Sequence, residues 1–276
     1  MMRTVSELRQ IAVSKLDQCY DAREAVNIVS LWFQVRLGLS RTELILKANE
    51  EIPFETFFDD LDRLLKNEPI QHILGSADFY GLELMVNEHT LIPRPETEEL
   101  VACVLQILPK HAIRILDVGT GSGAIALALK ANRPDCEVLA LDWSKEALQV
   151  ARKNAERNDL KVEFLHLDAL SMPLPEVDLV VSNPPYIPNL ERASMEQNVV
   201  QFEPDMALFV PQEDPLLFYR QMARQANSVA FEIHHDKGEE MRSMLVNFGY
   251  TEIVLQKDLQ GKDRIITAHH ESRRSY

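Results

Sequence analysis

Cysteine is scarce in this chain: Cys19, Cys103 and Cys136 are the only three among 276 residues. They form no CxxC pair and leave one thiol over in any disulfide scheme, which fits a reducing compartment and predicts three small buried apolar residues. A long hydrophobic run is missing as well. Met1 to Leu16 mixes polar and apolar residues without an uninterrupted apolar core, so it reads as neither a signal peptide nor a membrane span, and the cytoplasm is the expected address. Basic residues are in deficit, with 29 Lys and Arg against 43 Asp and Glu and a formal net charge of -14. So acidic a surface repels phosphate backbones, and no direct nucleic acid partner is expected. Residues 1–75 hold 9 basic and 12 acidic side chains and the remainder 20 and 31, so neither part is a basic arm. There is no internal repeat and no low-complexity tract. His234-His235 and His269-His270 lack a Cys or second His at zinc spacing, so no metal is expected.

What the chain does contain is 46% apolar and 26% charged residues, the mixture of a soluble globular protein with one or two domains. From Val5 to Leu74 no segment reads as a buried strand, and apolar residues recur at helical spacing, as in Leu8, Ile11, Ala12 and Leu16. Ser40 with Glu43 predicts a capped helix start, Pro53 an opening of another helix and Pro69 the close of a third. Residues 1–75 therefore read as a small helical domain, for which a substrate-docking role is expected. Residues 76–93 turn aromatic and β-branched around Gly81 and Asn87, which predicts a linking hairpin.

Residues 94–276 alternate strands with helices. Strands are predicted at 113–118, 138–141, 162–167, 177–182, 228–233, 253–256 and 264–268, and helices at 123–131, 145–157, 215–226 and 237–248. This is an α/β domain with a largely parallel sheet covered on both faces, in which one of the last two strands runs antiparallel. The tail from His269 to Tyr276 is polar and reads as frayed.

Two segments carry chemistry. The first predicted strand ends in Gly119-Thr120-Gly121-Ser122-Gly123, a turn that brings bare backbone against a nucleotide-like ligand. Asp142 ends the next strand, where a carboxylate can accept hydrogen bonds from both ribose hydroxyls. Asp168 follows the third strand, within reach of an adenine amine or else as an ordinary loop cap. Trp143 either flanks the adenine or packs against the next helix. Gly119, Gly121 and Ala124 also satisfy the dinucleotide fingerprint, so a dehydrogenase stays open on this turn alone.

The second segment is Asn183-Pro184-Pro185-Tyr186, where prolines force the chain out of the sheet at its carboxyl end. A planar amide or aromatic amine has a delocalised, weakly nucleophilic lone pair. The side-chain oxygen of Asn183 and the carbonyl of Pro184 can accept its two N–H groups, and Tyr186 offers a stacking face. Such a grip aims the lone pair at an electrophile without a strong base, and the electrophile implied is the methyl group of S-adenosylmethionine.

Three stretches together resemble the HemK family: Ile92-Pro93-Arg94-Pro95-Glu96-Thr97-Glu98, the glycine turn, and Val181-Ser182-Asn183-Pro184-Pro185-Tyr186-Ile187-Pro188 followed by Phe202-Glu203-Pro204. The likeness spans nearly the whole chain. It implies a seven-stranded Rossmann-like class I methyltransferase domain and S-adenosylmethionine as donor. The implied acceptor is the glutamine amide in the Gly-Gly-Gln loop of class I peptide chain release factors. By position it implies Gly119 to Gly123 and Asp142 at the cofactor, Asn183 to Tyr186 at the amide, and Arg94, Pro95 and Glu96 bordering the site. The chain departs from that pattern at Gln201, Pro215 and His234-His235, and it lacks a Pro-Gly-Gly turn before Val229. Readings from other classes are an adenine-specific nucleic acid methyltransferase, which shares the Asn-Pro-Pro-Tyr motif, and a noncatalytic docking module that keeps the cofactor fold.

Overall fold

Thr4 starts the first helix with a reciprocal cap. Its hydroxyl accepts from the Glu7 N–H while the Glu7 carboxylate accepts from the Thr4 N–H. The computed structural model describes residues 2–53 and 55–270, with the backbone alone at Glu55 and Ser194. The chain divides into two units, Met1–Ser76 with Glu196–Phe202, and Ala77–Met195 with Glu203–Tyr276.

The first unit contains β1 (Met2–Thr4), α1 (Val5–Leu16), α2 (Ala22–Leu37), α3 (Arg41–Leu46), β2 (Glu51–Pro53), α4 (Glu55–Leu64) and α5 (Ile70–Leu74). Ser40 and Glu43 form the expected capping box at α3. Leu8, Leu16, Trp32, Phe33, Phe57 and Leu61 build the core. The Trp32 indole donates to Asp60 at 2.8 Å, and the Arg36 guanidinium pairs with the same carboxylate, so that buried acid is satisfied. Two expectations fail here. Pro53 does not open a helix but sits opposite Met2 in the β1–β2 ladder, a pair too short and exposed to show as a hydrophobic run. Pro69 opens α5 rather than closing a helix, because its missing N–H costs least at a helix start.

From Ala77 the second unit takes in the rest of β3 (Ser76–Phe79) and β4 (Leu82–Met85), joined by Tyr80 and Gly81 at φ 48° and 81°. Two consecutive left-handed residues make a tight hairpin turn whose twist matches the strands. Asn154, fully buried on the helix Lys145–Arg157, accepts from the Met85 N–H at 2.6 Å and donates to the carbonyls of Met85 and Ser122. The hairpin is thereby tied to the glycine turn.

There follow α6 (Pro95–Ile107), β5 (Arg114–Val118), α7 (Ala124–Asn132), β6 (Glu137–Asp142), α8 (Lys145–Arg157), β7 (Glu163–His166) and β8 (Leu179–Ser182). After β9 (Ile187–Pro188) and a 3-10 turn over Asn189–Ser194 come α9 (Gln197–Phe202, part of the first unit), α10 (Asp205–Leu208) and β10 (Phe209–Val210), which pairs with β9. The chain then runs through α11 (Leu217–Ala223), β11 (Ser228–Glu232), α12 (Gly238–Asn247), β12 (Thr251–Lys257) and β13 (Asp263–His269).

The seven strands lie in the order β12-β13-β11-β8-β5-β6-β7. β13 runs antiparallel to both neighbours, while β11, β8, β5, β6 and β7 are parallel. Alternate strand residues supply opposite faces. Leu116, Val180 and Phe231 pack with Tyr219, Met222, Met241 and Leu245 of α11 and α12. Ile115, Leu179 and Ala230 pack with Leu100, Val104 and Leu127 of α6 and α7. This is the expected α/β architecture with both faces covered. Cys103 and Cys136 are buried within it, but Cys19 is exposed just past α1, contrary to expectation, because the chain leaves the helix there and turns outward. The tail beyond His270 lies outside the described residues.

Candidate active site

The parallel ladder brings the two loops together. Val118, the last residue of β5, sits opposite Ser182, the last residue of β8, and the Ser182 hydroxyl donates to the Val118 carbonyl at 2.6 Å. The glycine turn and the Asn-Pro-Pro-Tyr segment therefore leave the sheet from one rung at its carboxyl edge, where open α/β sheets take ligands.

In the glycine turn, Gly119 and Gly121 have φ of 74° and 55°, and a Cβ on either would enter open space. The conformation needs glycine, and the empty space above it suits close approach of a ligand. Gly123, at φ 86°, starts α7 against Leu127 and Ala151. Asp142, at the end of β6, accepts from the Gly121 N–H at 2.8 Å through one oxygen and from the Ser144 N–H at 2.9 Å through the other. Burial raises its pKa, and the N–H groups of Ser144, Gly121 and Trp143 pull it back. The carboxylate still keeps acceptor capacity for a ribose hydroxyl. Thr120 and Ser122 are buried, and the Thr120 hydroxyl donates at 2.6 Å to Asp117 beneath the turn. Asp117 also accepts from the Ala126 N–H, while its other oxygen has no partner among the described residues. Complete burial pushes its pKa up to about 7 against those two hydrogen bonds.

Trp143 is 59% exposed, so it is not packed into the following helix. Asp168 spends its oxygens on the Leu170 N–H and the Ser171 hydroxyl, the loop-cap arrangement. The open turn, the acid at the end of β6 and an exposed indole together fit an adenosyl group.

On the other loop, Pro184 is buried and Asn183, Pro185 and Tyr186 are half-buried. The Asn183 amide donates to the Thr97 hydroxyl at 3.1 Å, and Thr97 donates to the Glu232 carboxylate at 2.7 Å. The Tyr186 hydroxyl donates to the other Glu232 oxygen at 3.3 Å. Burial, followed by the neighbouring Glu232 charge, raises the Tyr186 phenol and keeps it neutral. Burial likewise pushes Glu232 up to about 7, while Thr97, Arg264 and Tyr186 favour its ionised form.

Arg94 precedes α6 and pairs with the buried Glu203, whose second oxygen accepts from the Ile92 N–H at 3.1 Å. Arg94 is thus occupied by an ion pair, and Pro95 takes the first helical position. Neither Thr97 nor Glu232 stood out as a site residue in the sequence. The available signal was a lone carboxylate closing the otherwise apolar run Val229-Ala230-Phe231. A cleft of about 740 Å³ bordered by His111, Asn227 and Val254 lies at the opposite, amino-terminal edge of the parallel strands and contains none of these residues.

Known proteins agree with this geometry. The methyltransferase small domain family matches residues 98–202 and the PrmC N-terminal domain family residues 7–75. A release factor glutamine methyltransferase of Bacteroides thetaiotaomicron is 44% identical over 237 residues, covering 82% of this chain and 84% of its own. One from Flavobacterium psychrophilum is 37% identical over 278 residues, covering 95% and 98%. The chain belongs to the release factor glutamine methyltransferase family. Family membership and the methyltransferase domain make it an S-adenosylmethionine-dependent methyltransferase, which removes the dehydrogenase reading. The hMettl16 catalytic domain, solved in complex with MAT2A 3'UTR hairpin 6, superposes with a TM-score of 0.55 at 18% identity over 69% of this chain and 76% of that one, a likeness of fold alone. No helix among the described residues is long and apolar enough to cross a membrane.

Proposed function

We propose that this chain methylates the side-chain amide nitrogen of the glutamine in the Gly-Gly-Gln loop of class I peptide chain release factors, in the cytoplasm. The observation that carries the reading is the shared departure of the glycine turn and the Asn183 loop at the Val118–Ser182 rung. A donor group on one loop and an acceptor amide on the other would meet there. The names of the family relatives agree in substrate.

Gly119, Thr120, Gly121, Ser122 and Gly123 would hold the cofactor by backbone, Asp142 by its carboxylate at the ribose, and Trp143 by its exposed ring at the adenine. Asp168, already spent on its own turn, would contribute from the rim. S-adenosylmethionine supplies a methyl group activated by its sulfonium. The Asn183 oxygen and the Pro184 carbonyl each accept one N–H of the substrate carboxamide, while Pro185 stiffens the loop. The Tyr186 ring, anchored through its hydroxyl to Glu232, supports the amide plane. As the nitrogen lone pair formed the new N–C bond, the S–C bond of the sulfonium would break and leave a neutral thioether; the nitrogen would become positive, and the two fixed oxygens would stabilise that charge better than water, which must reorganise. The surplus proton leaves afterwards, so no strong base is needed first.

The test is transfer of labelled methyl groups to a purified class I release factor, to the same factor with its loop glutamine changed to alanine, and to DNA and RNA. Label on the unchanged factor alone is the expected result. Label on nucleic acid, or equal label on both factors, overturns the reading, and no label on any acceptor favours a docking module.

A further inference from the structure

Asparagine and threonine can exchange hydrogen bonds in either sense, so the Asn183–Thr97 contact alone does not say which end of the amide faces the acceptor. The third member of the chain decides it. Thr97 Oγ1 has one proton, and its closer partner is Glu232 Oε2 at 2.7 Å. An ionised carboxylate can only accept, so Thr97 must give its proton to Glu232 and can only accept from Asn183. Asn183 then has to turn Nδ2 toward Thr97, at 3.1 Å, and Oδ1 away from it. We propose that Thr97 and Glu232 are positioning residues that lock the Asn183 carboxamide with its oxygen toward the acceptor nitrogen. This inference rests on the role given to Asn183 above.

The relay is built from three separate elements. Thr97 lies in the first turn of α6, Glu232 closes β11 and Asn183 follows β8. Thr97 and Glu232 are both buried, so no bulk water competes for their hydrogen bonds. Phe231 pairs with Ser182 in the ladder, which brings the end of β11 level with the start of the Asn183 loop. The groups facing Glu232 are the Thr97 hydroxyl and Glu96 carboxylate from α6, the Tyr186 phenol, and the Arg264 guanidinium from β13, which is itself paired with Asp258. The Tyr219 phenol of α11 donates to the Glu232 backbone carbonyl, and His234 stacks edge-on to Tyr186.

A proton on Glu232 reverses the order. The carboxyl can then donate to Thr97, Thr97 can donate to Asn183 Oδ1, and the amide flips to present N–H groups to an acceptor nitrogen that has only N–H groups to offer. No bond to carbon forms or breaks; one proton and three hydrogen-bond directions change.

The experiment compares T97V, T97S and N183A on intact release factor, with S-adenosylmethionine affinity measured separately. Valine keeps the shape and removes the hydroxyl. T97V should lower kcat about 10- to 100-fold with cofactor affinity within about threefold, the size of one lost orienting hydrogen bond. T97S should return kcat to within about threefold of wild type, since the hydroxyl is restored. Wild-type kcat in T97V, or equal losses in T97V and T97S, overturns the relay. An active N183A defeats the reading of the site itself and is distinguishable from either result. E232Q gives a measurement that does not depend on T97V folding. In wild type kcat should fall as pH drops through about 7, and E232Q, which cannot gain that proton, should lose this acidic limb. Superimposable profiles overturn the proposal.

Discussion

Ser182 donates its hydroxyl to the Val118 carbonyl at 2.6 Å, fastening the ends of two adjacent parallel strands at the point where each releases a loop. Both residues are buried, and Ser182 is completely so. S182A should cost about 1 kcal/mol, because a buried carbonyl loses a donor that water cannot replace. Chemical denaturation gives the stability change. A drop in kcat larger than the change in cofactor affinity is expected alongside it, since the bond spans the two halves of the site.

Arg94 and Glu203 make an unequal pair, with the acid buried and the base partly open to solvent. R94A leaves a buried carboxylate with only the Ile92 N–H, and a loss of about 3 kcal/mol is expected. E203A leaves a guanidinium that water can reach and one neutral buried N–H, that of Ile92, without its acceptor, so its cost is smaller, about 1–2 kcal/mol. Urea unfolding of the two variants should rank them in that order; the reverse ranking would mean that the pair is not held as described.

Complete burial penalises the charge of Asp117 and pushes its pKa from the usual 3.8 up to about 7. The folded state therefore binds the extra proton between those values, and this residue makes stability fall as pH rises from about 4 to about 7. D117N keeps an oxygen for Thr120 and Ala126 and cannot titrate. Unfolding free energies at pH 5 and pH 7.5 should differ less in D117N than in wild type. Glu232 adds a slope of the same sign, so part of the dependence should survive in the variant.

Asp142 holds the Gly121 N–H and the Ser144 N–H together, one on each oxygen. D142A should weaken S-adenosylmethionine binding about tenfold or more, through loss of the turn and of a ribose acceptor. Calorimetric titration measures it directly. G121A adds a left-handed strain of about 1–2 kcal/mol and a methyl group pointing into the space left for the ligand. Cofactor affinity should fall further in G121A than its stability change accounts for.

Much of the fold was legible because strands and helices announce themselves by period. The alternation from Arg114 to Val118, the amphipathic run of α8 and the capping box at Ser40 are local patterns that tertiary contacts reinforce. Misreadings fell where local chemistry permits two outcomes. Pro53 tolerates a strand edge as readily as a helix start, Pro69 can stand before a helix or after one, and Cys19 looks like any small apolar residue until the chain turns it outward.

The linear order of residues determined that a glycine turn and a rigid Asn-Pro-Pro-Tyr loop would each follow a buried strand, since bare backbone and proline rings dictate their own conformations. Only the tertiary structure decided that β5 and β8 lie side by side, and that Thr97 meets Asn183 across 86 residues of chain and Glu232 across 135. Hydrogen-bond direction within that relay depends on burial and on a third partner. Those are properties of the folded interior, and no local stretch of sequence carries them.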